Sequence, residues 1–163
     1  MKLHKFTRSL LLLSLGITAL LLSLGITAFA QAQTLSMEVW KSPTCGCCNE
    51  WISYMQKNGF EVKVNETGNY DAHKRFNIKY EHASCHTAMI DGYVIEGHVP
   101  AEDIKRLLAE KPDAIGLSAP GMPIGSPGMD GEAYGGRKDP YNVVLIKKNG
   151  ESEVFKSCLL YTS

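Results

Sequence analysis

Cys45, Cys47 and Cys48 crowd three thiols into one turn of chain, inside the stretch SPTCGCC that runs from Ser42 to Cys48. Such crowding cannot staple distant parts of a fold. Adjacent Cys47 and Cys48 would make a strained pair, and a bridge closing so short a loop removes little unfolded-state entropy. The flanking residues say where this turn sits. Met37 to Trp40 is a short apolar run with β-favouring Val39 and Trp40, ended by Ser42-Pro43, and reads as a strand. From Cys48 to Asn58 the apolar residues Cys48, Trp51, Ile52 and Met55 recur at helical spacing before the stop Asn58-Gly59. The cysteines therefore occupy a strand-to-helix junction.

Further along, Glu61 to Glu66 alternates with Val62 and Val64 inward and predicts a second strand, and Asp71 to Ile78 predicts a short helix. Thr87 to Ile90 and Tyr93 to Glu96 flank Asp91-Gly92, a hairpin signal. Pro100 opens a helix with Ile104, Leu107 and Leu108 on one face, closed by Lys111-Pro112. Ala114 to Pro140 holds seven glycines and four prolines and predicts a long irregular loop, rich in Gly, Pro and Met, that carries Met122 and Met129 within GMPIGSPGM. Tyr141 to Lys147 and Ser152 to Phe155, around Asn149-Gly150, predict a C-terminal β-hairpin.

This order of elements resembles a thioredoxin-like fold, an α/β arrangement in which C-x-x-C stands between the first strand and the first helix. On that analogy the Ser84 to Thr87 stretch packs against the cysteine turn, and Cys85 and His86 face Cys45 to Cys48.

The two ends of the chain differ from the rest. Lys2, Lys5 and Arg8 precede an uncharged stretch from Leu10 to Ala30 that closes on Ala28-Phe29-Ala30, so residues 1–30 read as a secretory signal peptide. Within it LLSLGITAL (Leu12–Leu20) and LLSLGITAF (Leu21–Phe29) are a nine-residue tandem duplication. The duplication lengthens the apolar run to 21 residues, close to the roughly 20 that span a bilayer. Cleavage after the small residues is the expectation, and a retained membrane anchor the alternative. At the other end Cys158 to Ser163, CLLYTS, is what a transposon end used in sequencing-library adapters encodes in frame, and reads as an artefact. The exported domain is then 31–157. All 17 acidic residues and 14 of the 17 basic ones follow Ala30, a net charge of −3. A mildly acidic domain is a poor match for nucleic acid.

Thiols near a helix N-terminus see unpaired N–H groups and the positive end of the dipole, so Cys47 and Cys48 are expected to ionise readily. Thiolates serve both as nucleophiles and as metal ligands. Counting separates the two uses. A disulfide exchanger needs one attacking and one resolving thiol, and a third between them offers competing bridges. A metal site gains from each added thiolate, and because sulfur can bridge two ions the crowding favours a multinuclear cluster. Thiolate and thioether prefer Cu(I), imidazole serves copper or zinc, and zinc rarely takes thioethers. Copper is thus favoured over zinc. The candidate ligands are Cys45, Cys47, Cys48, Cys85, His86, His98, Met122 and Met129. Against them stand a surface-loop role for His98 and a gap-filling role for the two methionines. Met55 and Met89 fit core positions, His73 and His82 read as exposed, and His4 belongs to the leader.

KSPTCGCCNEW, SCHTAMIDGYVIEGHVPAEDI and GLSAPGMPIGSPGM together resemble a family of small exported proteins labelled a domain of unknown function, whose better-studied members are the CopG-like copper-resistance proteins. The likeness covers most of Met37 to Phe155. It implies a thioredoxin-like periplasmic domain that binds copper, as a cluster, through Cys45, Cys47, Cys48 and Cys85 with histidine help. It also implies a role in copper tolerance, by interconversion of Cu(I) and Cu(II). Copper ions and other periplasmic copper-handling proteins are then the partners, with a membrane involved only if the leader is retained. Two alternatives stand beside this reading: a thiol-disulfide oxidoreductase using Cys45 and Cys48, and a copper chaperone.

Overall fold

The computed structural model describes residues 34–158; the stretch read above as a signal peptide, and the tail beyond Cys158, lie outside the described residues. In chain order the elements are β1 (Leu35–Lys41), α1 (Gly46–Lys57), β2 (Phe60–Asn65), α2 (Tyr70–Phe76), β3 (His86–Ile90), β4 (Tyr93–Gly97), α3 (Ala101–Glu110), β5 (Ala114–Ala119), β6 (Tyr141–Lys147) and β7 (Ser152–Cys158). The seven strands form one sheet in the order β2-β1-β3-β4-β5-β6-β7. β1 with β2 and β4 with β5 are parallel, each joined by a helix, as parallel neighbours require. The remaining neighbours are antiparallel. Among the described residues no helix is long and apolar enough to cross a membrane.

Alternation along the strands divides the apolar residues between the two faces of this sheet. On one face Met37 and Val39 of β1, Ala88 and Ile90 of β3, Ile95 of β4 and Leu117 of β5 meet Trp51, Ile52 and Met55 of α1 and Ile104 and Leu107 of α3. On the other, Val94 and Ile146 join Phe76, Ile78, Met89 and Ile115 in a smaller cluster. Trp40 adds an edge-on contact with Phe76, the ring centroids 5.6 Å apart, so α2 covers this second face. The hairpin between β3 and β4 turns on Asp91 (φ 47°) and Gly92 (φ 83°), the positive pair that suits a tight two-residue turn.

Two sequence expectations are corrected. Ala114–Ala119 is not loop but strand β5, parallel to β4 and antiparallel to β6 inside the sheet. Its composition hides it, because a strand covered on both faces has no polar alternation to show and Gly116 reads as a breaker. Gly116 is there because a Cβ would run into the Val94 carbonyl. Val64 is 39% exposed rather than inward, since β2 is an edge strand and only Phe60 on it is buried. The irregular segment therefore spans 120–140, and it is internally bonded. Gly125 N donates to Met129 O (2.8 Å), Asp139 N to Ile124 O (2.8 Å) and the Ser126 hydroxyl to Pro123 O (2.6 Å).

Candidate metal centre

The end of β1, the start of α1 and the start of β3 meet at one point. Cys45 is the N-cap of α1, and Cys47 and Cys48 lie in its first turn, which holds no acidic residue to compete for the N–H groups. Cys85 directly precedes β3, His86 is its first residue, and His98 directly follows β4. Cys45 and Cys48 are joined as a disulfide. Cys47 Sγ lies 3.6 Å from Cys45 Sγ and 3.9 Å from Cys85 Sγ, and Cys48 Sγ lies 3.4 Å from Cys85 Sγ. The four sulfurs thus fall within 4.8 Å of one another, and so do the donor atoms of Cys85, His86 and His98. Cys85 belongs to both groups and links them.

Both imidazoles are turned so that a nitrogen is available to a metal. Nδ1 of His98 lies 2.9 Å from the Pro127 carbonyl. A carbonyl only accepts, so Nδ1 carries the proton and Nε2 presents a lone pair, 3.2 Å from Cys85 Sγ. Nδ1 of His86 lies 3.5 Å from the same sulfur, and its buried Nε2 has no hydrogen-bond partner among the described residues. Burial holds the His86 pKa well below its ordinary value, with His98 adding to the effect, and burial lowers that of His98 too. Neutral imidazole is the ligating form. Cys85 moves the other way. Burial, then the neighbouring Cys47, pushes its thiol up to about 12, so the protonated thiol is favoured in the metal-free protein.

Packing fixes these positions. Trp51 is fully buried, packs against His86 with ring centroids 4.4 Å apart and the planes tilted by 43°, and donates its indole N–H to Val99 O at 2.9 Å. One side chain of α1 so braces both histidine segments. Gly128 lets the 120–140 loop close over the turn: its φ is +82°, and a Cβ there would stand 2.7 Å from Trp51 N and 2.8 Å from Cys47 O. A groove of about 400 Å³ along this loop reaches Cys47 and is flanked by Glu50, Asp130 and Tyr134. It gives Cys47 access to solvent.

The sequence candidates divide accordingly. Cys45, Cys47, Cys48, Cys85, His86 and His98 are brought together. His98 is fully buried, not a surface-loop residue. Met122 is 54% exposed, whereas Met129 is buried and its Sδ accepts the Tyr134 hydroxyl at 3.1 Å. The expectation that His73 and His82 are exposed is overturned. His82 is buried, and His73 is bonded to the buried Glu96 at 2.9 Å. Sequence reasoning also passed over Lys41. Its ammonium is buried, bonded to Glu66 Oε1 (3.0 Å) and Ser42 O (3.1 Å), and anchors the start of the cysteine turn. The signal for it was present, because Met37, Val39 and Lys41 share the inward phase of β1.

Fold and centre together define a small α/β protein whose strand-to-helix turn carries a thiol and imidazole donor set suited to a soft metal. The family model described as "Protein of unknown function, DUF411" matches residues 82–129. A solved structure named "Copper resistance protein copG- Form 1" is 40% identical, with a TM-score of 0.70, covering 77% of this chain and 98% of that one. A second, named "Copper resistance protein copG- Form 2", is 40% identical, with a TM-score of 0.72, covering 78% of this chain and 100% of that one. No curated protein matches the chain. The chain belongs to the CopG-like copper-resistance family.

Proposed function

We propose that this is a periplasmic copper-binding protein of copper tolerance, exported by its leader, which holds Cu(I) in a cysteine and histidine site and cycles it with Cu(II). The observation that carries this reading is the convergence of three further sulfurs and two neutral imidazoles on Cys85. Six soft or borderline donors within so small a volume exceed what one tetrahedral ion uses, and bridging sulfurs let them serve a cluster. Copper is the cargo, and zinc the weaker match. The copper-resistance names of the two similar structures support the same metal.

The Cys45–Cys48 disulfide supports the redox half of the reading. Oxidation of these two thiols releases two electrons and two protons, enough to reduce two Cu(II) ions to Cu(I). Cys47, Cys85, His86 and His98 then remain as ligands, while the reduced protein offers all six. The fold reading is thioredoxin-like, supported by the β2-β1-β3-β4 order, with β3 antiparallel to its neighbours and the cysteine turn between β1 and α1.

Metal content and absorption spectrum of protein purified from the exported fraction test the reading: copper with thiolate charge-transfer bands is expected, and a metal-free or zinc-only protein contradicts it. The same disulfide favours one second reading, a thiol-disulfide oxidoreductase using Cys45 and Cys48. Insulin reduction separates the two, because this activity should survive Cys47→Ser and Cys85→Ser if exchange is the function.

A further inference from the structure

Glu96 carries a carboxylate that the metal centre does not touch, and its contacts land on both sides of that centre's key dipeptide. It is fully buried on β4, two residues from Val94 and so on the α2 face of the sheet, opposite the cysteines of α1. Its Oε1 accepts the Ser84 backbone N–H at 2.7 Å and lies 2.9 Å from Nε2 of His73. Its Oε2 accepts the hydroxyl of Thr87, its cross-strand partner, at 2.6 Å. Ser84 and Thr87 are the residues immediately before and after Cys85-His86. Asn69 reinforces the same two points, its amide donating to Ser84 O (3.1 Å) and to the Thr87 hydroxyl oxygen (3.3 Å).

A buried ion pair is weak support for a fold, since a well-packed apolar residue often stabilises as much. What the carboxylate adds is direction, because three donors from α2, the Ser84 segment and β3 meet two oxygens in one geometry. We propose that Glu96 is a positioning residue for copper binding, which clamps Ser84 and Thr87 from the far side of the sheet and so aims the Cys85 thiol and the His86 ring at the cysteines of α1. The proposal rests on the copper-binding reading above.

Cu(I) affinity of the reduced chain, measured anaerobically against a chromogenic chelator, tests it. Glu96→Gln should stay within about threefold of wild type, far inside the roughly 10–100-fold span of an outer-shell loss. The amide oxygen can keep Ser84 and His73, and the amide N–H can donate to the Thr87 hydroxyl. Glu96→Leu should weaken binding by about 10–100-fold and shift the thiolate charge-transfer band. Thr87→Val, which removes one donor and keeps the shape, should lie between them and covers the case in which the leucine variant does not fold. These losses should vanish in a Cys85→Ser/His86→Ala background, since the clamp acts only through those residues. A folded Glu96→Leu or a Thr87→Val with wild-type affinity overturns the proposal, as do losses that persist in that background. Glu96→Gln as weak as Glu96→Leu also overturns it, by showing that charge and not geometry matters. A wild-type chain that takes up no Cu(I) overturns the copper reading and the proposal together, whereas wild-type uptake with unaffected variants removes the proposal alone.

Discussion

Cys85 is the residue on which the centre turns, because it alone is shared by the four-sulfur group and the two-histidine group. Cys85→Ser should therefore weaken Cu(I) binding by more than the roughly 10–100-fold that an outer-shell partner costs, measured by chelator competition. Cys47→Ser should lower the number of copper ions per chain, since Cys47 contributes a sulfur that the disulfide pair does not need. Protons give an independent check. The Cys85 thiol, raised to about 12 by burial and by Cys47, must lose its proton to bind metal, so affinity should climb with pH. The slope expected is about tenfold per pH unit for each proton released. A flat profile between pH 6 and 8 would mean that Cys85 is not a ligand. At this scale the sequence was informative where chemistry is local. Three thiols in one turn and a Cys-His pair name themselves, whereas the burial of His98 and the pairing of His73 with Glu96 depend on which strands become neighbours.

The elements that present these residues are held by a few contacts with measurable cost. Gly128 sits where a side chain would collide with the first turn of α1. Gly128→Ala should cost about 1–3 kcal/mol in urea unfolding, the range for a non-glycine residue held at positive φ. It should also weaken copper binding, because displacing the loop removes the Pro127 carbonyl that fixes the His98 tautomer. Loss of stability with unchanged affinity would show that the loop does not orient His98. Element reading from sequence succeeded for β1, α1, α3 and both hairpins, where amphipathic period or turn chemistry is explicit. It failed for β5, whose small residues and Gly116 serve close strand approach rather than a turn. Val64 was misjudged for a related reason: alternation marks a strand but does not say that it lies at the edge of a sheet.

For the molecule as a whole, the centre links stability to acidity, and the proposed copper binding would link capacity to redox state. His86 and His98 have folded pKa values below the ordinary 6.5, so as pH falls through that value the unfolded chain takes up protons first and stability is lost. His73 opposes this, since its bond to Glu96 raises its pKa and adds stability in acid, and so does Glu96, whose carboxyl is raised by burial; but the His73 ring is partly exposed and Glu96 starts from an ordinary value of 4.5, below this window, so the two buried imidazoles dominate. The urea midpoint of the metal-free protein should therefore fall between pH 7 and pH 5; a midpoint that rises would refute the assignment. Redox state should act on capacity, because the Cys45–Cys48 disulfide withdraws two of the four thiolates. The oxidised chain should bind fewer copper ions than the reduced one, and dithiol treatment should restore the difference. The most direct measurement is an anaerobic Cu(I) titration of the fully reduced protein, followed by thiolate charge-transfer absorption. More than one tightly bound copper per chain, reduced in number by Cys47→Ser, is the predicted result, and a chain that binds no copper tightly yet reduces insulin would contradict it.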